Sequence, residues 1–169
     1  MSDPELLALA ERLQGLCLGR GLTVGLAESC TGGLVAATIT SVPGSSGYFL
    51  GSVVSYADGL KVALLGVPPD TLAEHGAVSA QTARAMAVGA RDRLGVDVAA
   101  AVTGISGPAG GTDEKPVGLT YLGLADAGSS DVRRHQWNGD RTANRHESAR
   151  AMFRWLIEHI ETMTPVAGG

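Results

Sequence analysis

Leu22-Thr23-Val24-Gly25-Leu26-Ala27-Glu28-Ser29-Cys30-Thr31-Gly32-Gly33 reads as a strand that runs into a tight turn. Residues 22–27 are apolar and rich in β-formers, which is the composition of a buried strand. The residues after them are small and polar, close on two glycines, and lead into a helix from about 32 to 40. Strand, turn and helix in that order place the turn at the carboxyl edge of a sheet, where open α/β folds bind their ligands. The turn carries two hydroxyls (Ser29 and Thr31), a thiol (Cys30) and main-chain amides at a helix N-terminus. A nucleophile and an anion site can therefore share it.

The rest of the chain extends this pattern in both directions. Upstream, residues 3–19 repeat leucine and alanine at helical spacing, with Asp3 to cap the helix, Pro4 at its first position and Gly19 and Gly21 to end it. Downstream, a Pro-Gly-Ser loop at 43–47 leads to a strand at 48–56, a turn at Ala57-Asp58-Gly59 with Asp58 as cap, and a short helix at 60–65. One helical turn follows at 71–75. Ser79 then opens a long helix whose apolar face is Ala83, Met86, Ala87, Ala90 and Leu94. Its Ser79-to-Thr82 spacing resembles a capping box with Thr in place of Glu. Residues 96–102 form a third strand, apolar enough to be buried on both faces. A fourth strand is expected at 116–125, a polar, edge-like fifth at 131–137, and a last helix at 141–163 with a frayed tail from about 164. No internal repeat or interdomain linker interrupts the series. The expected fold is one α/β domain over residues 1–169, in three layers, with a central mostly parallel or mixed sheet and helices on both faces.

Composition narrows the function. A net charge of −4 and the absence of any lysine–arginine block argue against nucleic acid as a partner. No apolar run approaches the ~20 residues of a membrane span. The N-terminus lacks the basic and apolar regions of a secretory signal, so a cytoplasmic protein is the default expectation. The two cysteines, Cys17 and Cys30, make no disulfide framework or zinc spacing, and Cys17 is expected in the core. Neither a metal nor a cofactor is expected.

Two readings of Ser29 stay open on the residues alone. It can be an exposed nucleophile, or it can simply cap the helix that follows. Its surroundings are not G-x-S-x-G, so it is not the α/β-hydrolase elbow. Cys30 is intrinsically the stronger nucleophile, yet none of His75, His135, His146 and His159 sits at an apolar strand end to serve either residue as base. Lysine is the other option, and the chain has only Lys61 and Lys115. Lys61 follows a strand as Ser29 does. It can act as a base where burial lowers its pKa, or it can be an ordinary surface lysine. Tyr56 can relay a proton or merely pack. The run Thr103-Gly104-Ile105-Ser106-Gly107-Pro108-Ala109-Gly110-Gly111-Thr112 is rich in backbone donors and suits a phosphate or a lid, or is a plain loop; it is neither a Walker motif nor G-x-G-x-x-G. Arg141 and Arg145 can supply charge for an anion or lie on a solvated helix face.

Taken together, several motifs resemble one known family. They are Ala27-Glu28-Ser29-Cys30-Thr31-Gly32-Gly33, Pro43-Gly44-Ser45-Ser46, Val54-Ser55-Tyr56 with Lys61 and Leu64-Leu65-Gly66-Val67, and Gly76-Ala77-Val78-Ser79. The series continues with Val102-Thr103-Gly104-Ile105-Ser106-Gly107-Pro108, Gly110-Gly111-Thr112, Glu114-Lys115-Pro116-Val117-Gly118, and Gly139-Asp140-Arg141 through Arg145. In this order they resemble the CinA C-terminal domain family over nearly the whole chain. That family includes stand-alone nicotinamide-nucleotide amidases (PncC type), which convert nicotinamide mononucleotide to nicotinic acid mononucleotide and ammonia in pyridine nucleotide recycling. The resemblance implies a metal-independent Ser/Lys mechanism with Ser29 as nucleophile, Lys61 as base and Tyr56, five residues before the lysine, as an orienting or relaying group. It implies a small-molecule nucleotide substrate held by Thr31, Gly32, Gly33, Thr103, Gly104, Ser106, Gly107 and Arg141. Other family members carry a molybdopterin-binding-like N-terminal domain. Where many members have Tyr-Ser-Asn, this chain has Tyr56-Ala57-Asp58, a change that bears on affinity or specificity. A non-catalytic nucleotide-binding module and an amidase for a different nucleotide amide stay open as alternatives, as does assembly into a homo-oligomer, dimer or higher.

Overall fold

The computed structural model describes residues 3–164, so the tail expected from about 164 lies, after Thr164, outside the described residues. Its centre is a five-stranded sheet in the order β2-β1-β3-β4-β5. β1 (Val24–Glu28) pairs in parallel with β2 (Phe49–Val54) on one side and with β3 (Val98–Gly104) on the other. β4 (Leu119–Ala125) runs antiparallel to β3, and β5 (Ser130–Gln136) antiparallel to β4. The sheet is therefore mixed. A parallel return needs a crossover, usually helical, and between β3 and β4 there is only a loop, so β4 must run back. β5 follows through a hairpin whose turn is tied by the Asp126 carboxylate, which accepts the amides of Gly128 and Ser129.

Apolar faces set the layers. β1 is buried along its whole length and β3 for all but its last residue, as expected of strands covered on both sides. On one face, α1 (Pro4–Arg20), α2 (Leu34–Thr40) and α6 (Arg141–Thr162) bring Leu13, Val35, Ile39, Phe153 and Leu156 against Val24, Leu26, Val102 and Leu122. On the other, α5 (Ala80–Leu94) and Leu65 of α3 (Asp58–Leu65) cover Ala27, Ala99 and Ala101. The short α4 (Pro69–His75) flanks α5. This is the expected three-layer α/β domain.

Local signals explain most of the helix ends. The Asp3 carboxylate accepts the amides of Glu5 and Leu6, and Ser79 Oγ accepts that of Thr82 at 3.1 Å. Thr82 is too short to return the second bond of a capping box; its hydroxyl donates to Gly76 O at 2.7 Å instead. Asp58 is not the cap of α3. Ala57 holds that place and Asp58 is the first helical residue, which turns its carboxylate toward Lys61 one turn on.

The covering layer of α3 and α5 depends on one bare backbone. A Cβ at Gly89 would lie 1.8 Å from Leu65 O, so α5 touches α3 there without room for a methyl group. Gly89→Ala should lower stability by about 1–3 kcal/mol even though alanine is the better helix former. Thermal unfolding checks this, and an unchanged or raised Tm would contradict it.

Parallel pairing has one consequence for the site. β1, β2 and β3 end at the same edge of the sheet, so the segments after Glu28, after Val54 and around Gly104 come together there.

Candidate active site

At that edge the Ser29 amide donates to Val102 O at 3.0 Å, and the Gly32 amide folds back onto Ser29 O at 3.0 Å. The turn is thus pinned to the sheet, with Ser29 almost buried but facing a cavity. Ser29 does not cap α2. Glu28 takes that role from the last position of β1. Its side chain is fully buried, and Oε2 accepts from Thr31 Oγ1 (2.7 Å) and from the amides of Gly33 and Val35 (3.1 Å each). Oε1 accepts from the Ala36 amide at 2.9 Å and from Ser52 Oγ at 3.4 Å. A buried carboxylate is tolerated when donors surround it, and the positive end of α2 supplies them. With the helix end satisfied by Glu28, Ser29 Oγ is left for chemistry.

The same bonds correct an expectation about binding. Thr31 Oγ1 and the Gly33 amide belong to Glu28, the Gly32 amide belongs to Ser29 O, and none of the three residues lines the cavity. On this side of the cavity the lining residues are Ser29 and Cys30.

Lys61, on α3, is 1% exposed. Its Nζ lies 3.2 Å from Ser29 Oγ, 2.8 Å from Ser55 O and 3.3 Å from Tyr56 O. Carbonyl oxygens only accept, so two of the amine's directions are N–H donations and the third points at the hydroxyl. In a neutral amine that third direction is the lone pair, ready to accept the Ser29 proton. Burial pulls the Lys61 pKa below its ordinary 10.5, while the Asp58 carboxylate, 3.7 Å from Nζ, and the Cys30 side chain act the other way. Burial also pushes the Cys30 thiol up to about 11, so it is a neutral thiol at pH 7 and a poor nucleophile. Cys17 is pushed up to about 12 in the core, where it was expected.

Tyr56 meets Lys61 through its carbonyl. Its exposed side chain instead accepts from Arg141 Nη2 at 3.1 Å. Arg141 also donates to Gly107 O at 2.8 Å, bridging the segment after β2 to the loop after β3. Thr103, Gly104, Ser106, Gly107 and Arg141 all line the cavity, together with Ser29, Tyr56, Asp58 and Lys61. Thr103 Oγ1 itself donates to Ala77 O at 2.8 Å.

Three residues that carried no firm expectation hold these parts together. Glu28 is the first. Asn144, nearly buried in the second turn of α6, accepts the Gly139 amide and donates to Ser106 O at 3.1 Å. Arg145 does not reach the cavity; it donates to Thr31 O at 2.7 Å and props the turn that carries Ser29.

The cavity holds about 250 Å³, and a second hollow of about 530 Å³ adjoins it, sharing Ser106 and Arg141. A larger hollow of about 780 Å³ runs along α5 from Leu65 to Arg93 but contains none of these residues. Among the described residues no group of three His, Cys, Asp or Glu could hold a metal ion, and no helix is long and apolar enough to cross a membrane.

The family model of the CinA C-terminal domain matches residues 6–160. This chain belongs to that family. A CinA-like protein of Geobacter sp. (strain M21) is 52% identical over 94% of this chain and 38% of its own length. A CinA-like protein of Geobacter sulfurreducens is 54% identical over 85% of this chain and 35% of its own. The chain thus spans little more than a third of the curated relatives that it matches. Among solved CinA structures, the competence/damage inducible protein CihA from Agrobacterium tumefaciens is 39% identical, with a TM-score of 0.90 over 96% of this chain and 99% of that one. The CinA superfamily protein KP700603 from Klebsiella pneumoniae 700603 is 30% identical, also with a TM-score of 0.90, over 94% and 99%. The mixed sheet with helices on both faces is therefore the CinA C-terminal domain fold.

Proposed function

We propose that this CinA-family chain hydrolyses the carboxamide of nicotinamide mononucleotide, giving nicotinic acid mononucleotide and ammonia. One observation carries the reading: the buried Lys61 amine, 3.2 Å from Ser29 Oγ, with its other two directions held by main-chain carbonyls. A base held in this way points its lone pair at one hydroxyl and nowhere else.

In the proposed reaction Lys61 takes the Ser29 proton as Oγ bonds to the carboxamide carbon. The Cys30 amide is placed to meet the oxyanion that forms. As the C–N bond breaks, Lys61 returns the proton to nitrogen and ammonia leaves. Water then attacks the acyl-serine, giving one proton to Lys61. The C–Oγ bond breaks, Ser29 regains the proton, and the acid is released. Ser106, Gly107 and Arg141 supply main-chain donors and charge on the far side of the cavity, which suits the phosphate. The Tyr56 hydroxyl, bonded to Arg141, orients that end rather than the proton transfer.

Ammonia release from the mononucleotide tests the reading. The wild-type chain should turn over, Ser29→Ala should lose at least about 10³-fold, and Cys30→Ala should stay within a few-fold. Equal rates for wild type and Ser29→Ala, or tight binding of the mononucleotide with no ammonia, would leave a binding module instead of an amidase.

The pH dependence has a definite sign. Lys61 must be neutral to accept a proton, so kcat/KM should rise as pH rises through its lowered pKa. The Asp58 carboxylate stabilises the ammonium form, so Asp58→Asn should move this limb to lower pH. A limb that stays in place or moves upward would contradict the assignment of Lys61 as base.

A further inference from the structure

Two charges in the cavity have no hydrogen-bonded counter-charge among the described residues; the nearest to either is the Lys61 amine, 3.7 Å from Asp58. Asp58, the first residue of α3, lines the cavity beside Ser29 and Lys61, with its side chain 63% exposed. Its carboxylate lies 3.7 Å from Lys61 Nζ, beyond hydrogen-bond reach, because the amine is already directed at Ser55 O, Tyr56 O and Ser29 Oγ. No donor bonds the Asp58 carboxylate among the described residues, and Lys61 in its working, neutral form gives it no positive charge. On the other side of the cavity, the Arg141 guanidinium donates to Gly107 O and to Tyr56 Oη, which are both uncharged, and it forms no ion pair among the described residues. With Lys61 neutral, the site thus offers an uncompensated carboxylate next to the Ser29–Lys61 pair and an uncompensated guanidinium where the cavity meets the adjoining hollow.

We infer that Asp58 reads the positive charge of the substrate ring, so that the site selects a carboxamide on a cationic pyridinium over the same carboxamide on a neutral ring. This rests on the amidase reading above. A pyridinium mononucleotide carries a cation beside its carboxamide and an anion at its phosphate, the same order of charges in reverse. The carboxylate sits next to the Ser29–Lys61 pair, so it meets the ring that bears the reacting group, while Arg141 is left for the phosphate. A dihydropyridine ring keeps the shape and the carboxamide but loses the charge. Asp58→Asn keeps the shape of the side chain and loses its charge. The two changes therefore probe the same interaction from opposite sides.

Binding is measured by calorimetry in a Ser29→Ala background, which prevents turnover, with oxidised and with reduced (dihydro) nicotinamide mononucleotide. The oxidised form should bind about tenfold more tightly, the scale of one partly screened charge pair. Adding Asp58→Asn should weaken the oxidised form about tenfold and change the reduced form less than twofold, which erases the preference. The reduced ligand also reports that the cavity is intact in the variant. Loss of both forms alike, or an unchanged ratio, overturns the inference. If the wild-type chain releases ammonia from the oxidised mononucleotide but the ratio is unaltered, only the role of Asp58 falls. If it releases none, the amidase reading falls and takes this inference with it.

Discussion

Lys61→Met should abolish ammonia release, by about three orders of magnitude or more, and leave the protein as stable as wild type or more so at neutral pH. The first half follows from the geometry. Methionine fills the buried volume but offers Ser29 no base, and no other titratable side chain is bonded to Ser29 Oγ. The second half follows from linkage. Lys61 has a lower pKa folded than unfolded, so between those two values the unfolded chain binds the extra proton and stability rises with pH. Below the folded-state pKa the full cost of burying the ammonium is felt. Methionine removes that cost, although it leaves the Ser55 and Tyr56 carbonyls without their donor. Ammonia assays and thermal melts on the same preparation check both halves. Activity within tenfold of wild type would remove Lys61 from the mechanism, and a melting point lowered by many degrees would make it a structural residue.

Glu28→Ala should have the opposite profile, a large loss of stability with the loss of activity. The substitution leaves three amides and two hydroxyls, all buried or part-buried, without their acceptor. We expect about 3–5 kcal/mol, measured by urea unfolding. Glu28→Gln should cost less, because its carbonyl oxygen still serves the donors around Oε2 while its amino group opposes the Ala36 amide. A change below about 1 kcal/mol for alanine would mean that the α2 end is satisfied in another way.

These two residues mark where the sequence is legible and where it is not. The strand-turn-helix at 22–40 could be read because its signals are local: an apolar run, small turn residues and a helix pattern. Ser29 and Lys61 could be named as candidates for the same reason. Their pairing could not, because the contact spans 32 residues and depends on β2 lying beside β1. On its own helix Lys61 looks like any surface lysine. Glu28 gives no local signal, because an acid at the end of a strand normally faces water; only the turn that wraps its carboxylate in amides makes it a core residue. Thr31, Gly32 and Gly33 were given substrate for the converse reason, since their donors look free until Glu28 is placed. Asn144 and Arg145 sit in a helix segment that reads as solvated, and nothing local shows that the start of α6 lies against the nucleophile turn. The stretch between β3 and β4 has no helical pattern, which already rules out a parallel return and decides between a parallel and a mixed sheet.

The start of α6 ties separate segments to one rigid rod. Arg141 holds Tyr56 and Gly107, Asn144 holds Ser106, and Arg145 holds Thr31, all from the first two turns of a 22-residue helix whose later turns are buried in the core. The turn at Ser29, the segment after β2 and the loop after β3 therefore each have one tie to the same helix start. Fraying of those two turns would remove one tie from each of the three segments at once, while the turn at Ser29 keeps its bonds to Val102 O and Glu28.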